Sequence, residues 1–309
     1  MPSCQLPPPL QPGDRLIVIA PSGTLRPREV AAFEAGVALW RSQGYQVELH
    51  PHCQDQWGYL AGKDGDRVQQ WWDAYADPRY RGILCVRGGY GSMRLVEVLR
   101  QQRWQPPQGM PPKWVIGFSD VTALLWYLSQ QGIAGVHGPV LTTLAAEPDW
   151  SRDRLWQWVG DRTALAPLHG VGWGGGAVTG YLLPGNLTVA THLLHTPLVP
   201  DLSQVILAIE DVGEAPYRLD RLLTQWRLSG CLPLVKGIAL GRFSQCAAPP
   251  AIPSLDVATV LRDRLADLGI PIAADLPFGH DGPNAALPVG IPATLNGDTG
   301  VLAFPDLPA

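Results

Sequence analysis

Paired cysteines are missing from this chain. The five present, Cys4, Cys53, Cys85, Cys231 and Cys246, are scattered and odd in number, and none forms a C-x-x-C pair. That argues against a zinc site or a disulfide scaffold and suits a reducing, cytoplasmic compartment. Basic runs are missing as well. Charged residues are 16% of the 309, with a formal net charge of −4. Nucleic-acid binding therefore has no electrostatic footprint. No uninterrupted apolar stretch reaches membrane-spanning length, so no transmembrane helix is expected. The opening Met1–Pro9 stretch has neither a basic nor an apolar signal-peptide region. No repeat recurs at solenoid periods.

What the chain does have is apolar side chains, 46% of its residues. At this length they can build a sizeable core and two domains. The first half alternates apolar runs with amphipathic ones. Arg15–Ala20, Tyr45–Leu49, Gly82–Val86 and Trp114–Ile116 read as buried strands. Arg28–Gln43, Asp66–Ala76, Ser92–Arg100 and Val121–Leu128 read as helices. Strands apolar throughout, alternating with helices, imply a parallel sheet covered on both faces. The expectation is an α/β protein: a Rossmann-like N-terminal domain over residues 1–150, a linker over 151–176 containing the Gly170–Gly176 run, and a smaller, mixed, β-rich C-terminal domain over 177–309. In the second half Val205–Ile209, Gly237–Leu240, Ile272–Ala274, Ala285–Val289, Ala293–Leu295 and Val301–Phe304 read as strands. Pro216–Ser229 and Leu255–Leu268 read as helices.

The most chemical feature is Gly117-Phe118-Ser119-Asp120, at a strand-to-helix junction. A serine at such a turn has its hydroxyl pushed outward, with the unpaired N–H groups of the helix start beside it. A nucleophile attacking a carbonyl needs both. Ser119 reads equally as a helix N-cap, and the esterase elbow G-x-S-x-G is incomplete because Val121 replaces its second glycine.

A base and an orienting carboxylate would complete the set. His280 lies in a glycine-containing loop after a strand, and Glu210 closes the Val205–Ile209 strand. His280 also reads as an exposed loop residue, and Glu210 as a capping acid before Pro216. His192 and His195 fall at helical spacing, and His50 and His52 end a strand. Arg87-Gly88-Gly89-Tyr90-Gly91 does not meet a dinucleotide fingerprint; a second oxyanion donor is the better reading.

Several segments together resemble one family. They are Ala20-Pro21-Ser22-Gly23, Arg87–Gly91, Gly117–Leu124, His137-Gly138-Pro139, Gly185-Asn186-Leu187, Leu207–Asp211 and Phe278-Gly279-His280. Their order and spacing are similar to those of the LD-carboxypeptidases, serine peptidases typified by muramoyltetrapeptide carboxypeptidase and including the microcin-immunity peptidases.

The resemblance implies Ser119 as nucleophile, His280 as base and Glu210 as the group that orients it. It implies an oxyanion hole from the N–H groups of Asp120 and of a glycine in the 87–89 run, taken here as Gly89. It implies cleavage of terminal D-alanine from peptidoglycan tetrapeptides during murein recycling in the cytoplasm. The partner would be a small muropeptide, with no nucleic acid, no membrane and neither metal nor organic cofactor. Family members tend to form homodimers. The alternatives are an amide hydrolase of aminoacyl-nucleotide analogues, for which Trp173 would stack a base, and a non-catalytic muropeptide binder. One departure is visible: Pro184 stands where the family usually has glycine.

Overall fold

The computed structural model describes residues 4–160, 165–251 and 253–305. Its strands are β1 (Arg15–Ile19), β2 (Gln46–Leu49), β3 (Tyr80–Cys85), β4 (Trp114–Gly117), β5 (Gly135–His137), β6 (Leu168–His169), β7 (Val171–Gly172), β8 (Ala177–Asn186), β9 (Val205–Val212), β10 (Gly237–Ser244), β11 (Ile272–Ala274), β12 (Leu287–Val289), β13 (Pro292–Asn296) and β14 (Val301–Ala303). Its α-helices are α1 (Val30–Ser42), α2 (Asp64–Ala76), α3 (Ser92–Gln101), α4 (Thr122–Gln130), α5 (Leu141–Leu144), α6 (Asp149–Val159), α7 (Leu187–Leu193), α8 (Pro216–Leu228) and α9 (Val257–Leu265).

The apolar runs of the first half pair as expected. The first sheet has the order β12-β5-β4-β3-β1-β2, with β1 to β5 parallel to one another. All four residues of β4 are buried, as a strand covered on both faces requires. The second sheet is mixed, with the order β6-β14-β13-β8-β9-β10-β11-β7. Its centre, β8-β9-β10-β11, is parallel. The protein is thus an α/β molecule built on two sheets. Among the described residues no helix is long and apolar enough to cross a membrane.

Two segments depart from the simple division drawn along the sequence. The 151–176 stretch, expected as a linker, holds most of α6 and also β6 and β7, which form the two edges of the second sheet. Near the C-terminal end, β12 pairs antiparallel with β5 of the first sheet, and β13 then returns to β8 of the second. The chain between β11 and β12 therefore bridges the two sheets.

The halves also meet at α4. Residues Thr122 to Ser129 of this helix are all buried, which its near-continuous apolar sequence demands. Trp126 donates its indole N–H to the Pro184 carbonyl of β8 at 2.9 Å. The helix that follows Ser119 is thereby wedged against the second sheet.

Close packing in the first half rests on Gly36 in α1. A Cβ there would lie 2.1 Å from the carbonyl oxygen of Leu141, at the start of α5. Backbone cannot yield as a side chain can. Gly36→Ala should therefore destabilise the protein by about 1–3 kcal/mol, the usual range for overpacking, although alanine is the better helix former. A urea unfolding midpoint equal to wild type would show that the two helices separate without cost.

Candidate active site

Ser119 sits where β4 gives way to a short 3₁₀ turn, Ser119–Val121, that runs into α4. Its φ is +62°, a left-handed conformation uncommon in any residue with a Cβ. Such strain, held at a turn between strand and helix, aims a side chain away from both elements. Val121, where an esterase elbow has its second glycine, is buried, and its methyl carbons lie 3.1 Å from where a Cβ on Gly117 would be. The small residue is on the strand side of the turn instead.

The Arg87–Gly91 loop comes up against this turn. A Cβ on Gly88 would lie 2.8 Å from both Cβ and Oγ of Ser119 and 3.4 Å from the Asp120 nitrogen. Only glycine allows that approach. The two segments are tied by Asp120, whose carboxylate accepts the Ser92 N–H at 2.8 Å and whose carbonyl accepts the Ser92 hydroxyl. The loop is also fastened from behind. Arg87 donates to the Thr24 carbonyl at 3.0 Å and pairs with Glu29 at 3.3 Å. Gly23 N–H meets the Gly88 carbonyl at 3.2 Å. Gly89 is exposed beside the half-buried serine. The Asp120 N–H lies in the first turn of a helix, where N–H groups lack intrahelical acceptors.

On the other side, Glu210 lies near the carboxyl end of β9 with no exposed surface. Its Oε2 meets Nδ1 of His280 at 2.6 Å. Its Oε1 accepts from the Asn186 side-chain amide at 3.3 Å. Asn186 stands opposite Glu210 in the β8–β9 ladder, so the parallel pairing brings the two together. The same amide reaches Asp211 at 2.9 Å, and Asp211 also accepts the N–H and hydroxyl of Thr188 at 2.9 and 2.8 Å. The Asn186 N–H in turn meets the Thr122 hydroxyl at 2.9 Å. A chain of hydrogen bonds thus runs from Glu210 to the helix that begins beside Ser119.

Ser119, Glu210 and His280 come from three places in the sequence. Glu210 and His280 are in direct contact, and His280 approaches the serine's neighbour, with ring centroids of His280 and Phe118 4.7 Å apart. Among the described hydrogen bonds none joins Ser119 to His280. The other histidines are placed elsewhere. His50 and His52 pair with Asp73 and Asp55, and His192 meets the carbonyl of Thr188. His137 is wholly buried between Phe118 and Phe278, with both ring nitrogens unpartnered. Burial, with the nearby His280 charge, pushes it down to about 3, so it stays neutral.

The ionisation of His280 follows from its surroundings. Burial works against the imidazolium, but the Glu210 charge and hydrogen bond, helped by Asp211 and Asp281, outweigh it and hold the pKa above 6.5. Burial raises Glu210 above its ordinary range, and His280 partly offsets that.

The sequence alone assigns no role to Asn186, Asp211 or Thr122. All three fall within segments that carry the resemblance. Only the strand pairing, which no local pattern encodes, shows what they hold. Pro184, the departure from the family pattern, lies within β8 and lends its carbonyl to Trp126. Among the described residues no group of three or more histidine, cysteine or acidic side chains is arranged to hold a metal ion.

Known proteins resemble this chain over most of its length. A model of the LD-carboxypeptidase N-terminal domain matches residues 16–138, and one of the LD-carboxypeptidase C-terminal domain matches 179–295. A Synechocystis protein, slr1534, provisionally named a carboxypeptidase, is 57% identical over 96% of both chains. The murein tetrapeptide carboxypeptidase of Pseudomonas aeruginosa is 31% identical over 93% of this chain and 95% of its own. Among solved structures, muramoyltetrapeptide carboxypeptidase from Oxalobacter formigenes superimposes with a TM-score of 0.79 at 27% identity, covering 93% of this chain and 97% of that one. The microcin C7 self-immunity protein MccF, in complex with aspartyl sulfamoyl adenosine, gives a TM-score of 0.83 at 19% identity over 99% of both chains, a likeness of fold alone.

The charge balance at His280 sets a titration. Its NMR-monitored midpoint should lie above 6.5, with the ring protonated below the midpoint and neutral above it. Glu210→Gln removes the main stabilising charge while keeping the shape, so the midpoint should fall. A midpoint that did not move would mean that the Glu210 charge is not what holds the proton.

Proposed function

The chain belongs to the LD-carboxypeptidase family, and from that premise we propose that it is a serine peptidase releasing terminal D-alanine from murein tetrapeptides. The observation that carries this reading is the 2.6 Å contact between His280 and the buried Glu210, on a site whose serine is held at φ +62°. The relatives named for murein peptides supply the substrate class.

Ser119 Oγ attacks the carbonyl that precedes D-alanine, at the L-configured centre of the diamino acid. Its proton passes to His280 Nε2, while the Nδ1–H stays on the ring and is donated to Glu210, which fixes the tautomer. The carbonyl oxygen becomes an oxyanion, held by the N–H groups of Asp120 and Gly89. Each such donor stabilises the transition state by about 3 kcal/mol. Collapse of the tetrahedral species breaks the amide C–N bond. His280 gives its proton to the departing amine of D-alanine. Water then attacks the acyl-serine by the same route in reverse and frees the tripeptide. No metal or organic cofactor takes part. The substrate is a cytoplasmic product of wall turnover.

The nucleotide-directed alternative needs an open aromatic face. Trp173 has the Arg262 guanidinium 4.4 Å from its ring centroid, so one face is already covered. A base stacking on Trp173 would have to use the other face or displace Arg262, a demand the peptide reading does not make.

Purified protein should release D-alanine from an L,D-linked tetrapeptide, with equal rates before and after EDTA treatment. Ser119→Ala should lose activity on the order of a million-fold, as loss of a serine nucleophile does elsewhere, and should keep its fold by circular dichroism. Retention of more than a few per cent of turnover would remove Ser119 from the nucleophile's place.

A further inference from the structure

His280 is carried by the segment that crosses between the sheets, from β11 to β12. A loop of this kind needs anchors if a base is to stay in place. Some come from its own half. Ala285 N–H closes on the Pro277 carbonyl at 2.9 Å, and Arg242 N–H meets the Phe278 carbonyl at 2.8 Å. Another comes from far away in the sequence. Glu147, between α5 and α6, accepts the backbone N–H of Asn284 at 2.8 Å on Oε2. The same oxygen accepts the Ser151 hydroxyl at 2.8 Å, and Ser151 lies 3.1 Å from the Asn284 carbonyl. The Asn284 side-chain oxygen then accepts the N–H of Gly279, next to His280, at 3.2 Å.

All the members of this chain are buried. Asn284 and Ser151 have no exposed surface and Glu147 has 7%. A carboxylate so placed is costly unless it is fully bonded. Burial raises the Glu147 carboxyl, and the Asn284 N–H and the Ser151 hydroxyl act against that. Its surroundings are otherwise sparse in charge, and Arg152 is the cation beside it. The hydrogen bonds of its carboxylate go to a hydroxyl and a backbone N–H rather than to a cation. The geometry instead links the first half of the chain to the residue before His280.

We propose that Glu147 is a positioning residue, a strut that holds the His280 loop in register with Ser119 through Asn284 and Gly279. This rests on the reading that His280 is the base. Glu147 touches no reacting atom. It sets how far His280 stands from the serine, across a gap that no described hydrogen bond spans. Removing the acceptor leaves the buried Asn284 N–H unsatisfied, and the loop shifts to satisfy it. A displacement of about 1 Å can lower turnover by roughly a hundredfold.

Two substitutions separate this from ordinary stabilisation. Glu147→Gln keeps a side-chain oxygen that can accept both bonds, whereas Glu147→Ala keeps none. Glu147→Ala should lower kcat by roughly ten- to a hundredfold with KM within about twofold of wild type, and Glu147→Gln should restore most of it. Leu265→Ala, a fully buried cut in α9, serves as a control of lowered stability and should leave kcat near wild type. Amide hydrogen exchange at Gly279 gives a readout independent of catalysis. It should be slow in wild type and Glu147→Gln and fast in Glu147→Ala. If Glu147→Ala does not fold, Asn284→Ala carries the same expectation for Gly279 exchange and kcat. Unchanged exchange at Gly279, or a kcat loss shared equally by Leu265→Ala, would overturn the strut. Wild-type protein that releases no D-alanine would refute the proposed function instead, and the exchange result would still decide the strut.

Discussion

A carboxylate with no exposed surface governs this structure. Glu210 sits inside the molecule, where an unpaired charge would cost several kcal/mol. Its two oxygens must therefore be met, and the partners come from different parts of the fold. Asn186 comes from the neighbouring parallel strand, and His280 from the segment between the sheets. Asn186 is itself bound by Thr122, on the helix that follows Ser119. Satisfying one buried acid thus requires β8, β9, the β11–β12 segment and the start of α4 to lie in one arrangement.

The other side of the site is built on a different principle. Around Ser119 there is little charge pairing. What matters is closeness: the absence of a Cβ at Gly88, the left-handed turn at Ser119, and the bonds from Ser92 that clamp Asp120. The serine side is thus fixed largely by sterics within the first half, and the His280–Glu210 side by hydrogen bonds and charge that also draw on Thr122 and Glu147 from the first. Between them lies van der Waals contact, with Phe118 against the His280 ring. In the proposed reaction this junction is where proton transfer takes place. A junction without a fixed hydrogen bond suits a step in which His280 must take a proton from Ser119 and later give it to another atom.

The sequence made some of this plain and hid the rest for definite reasons. The apolar runs of β1, β3 and β4 were legible because strands buried on both faces leave an unbroken pattern. The turn at Ser119 was legible because the change from strand-like to helix-like periodicity falls beside it. The edge strands β6 and β7, two residues each, leave no period to detect and lay hidden in a glycine-rich stretch. The return of β12 to the first sheet was hidden too, because an apolar run does not name the sheet it joins. Asn186 and Glu147 were illegible as partners, since they act on residues 24 and 137 positions away. The candidate site residues were drawn together by order and spacing of weak motifs; no single motif would have selected them over a capping serine or a loop histidine.

Fold likeness and chemistry part company at the substrate. The solved muramoyltetrapeptide carboxypeptidase and MccF superimpose on this chain about equally well, at TM-scores of 0.79 and 0.83. A scaffold shared so evenly cannot choose between a peptide and a nucleotide conjugate. The nucleotide alternative rests on Trp173. Here the aromatic residue in the glycine-rich loop is engaged, since Arg262 lies over Trp173. A cation over one face of an indole is itself a favourable contact, and a base seeking that face would first have to displace it. A terminal D-alanine makes no such demand. It needs a strained serine, donors for an oxyanion and a histidine kept basic by a buried acid, and in the proposed reaction these are the groups that the two halves of the chain bring face to face.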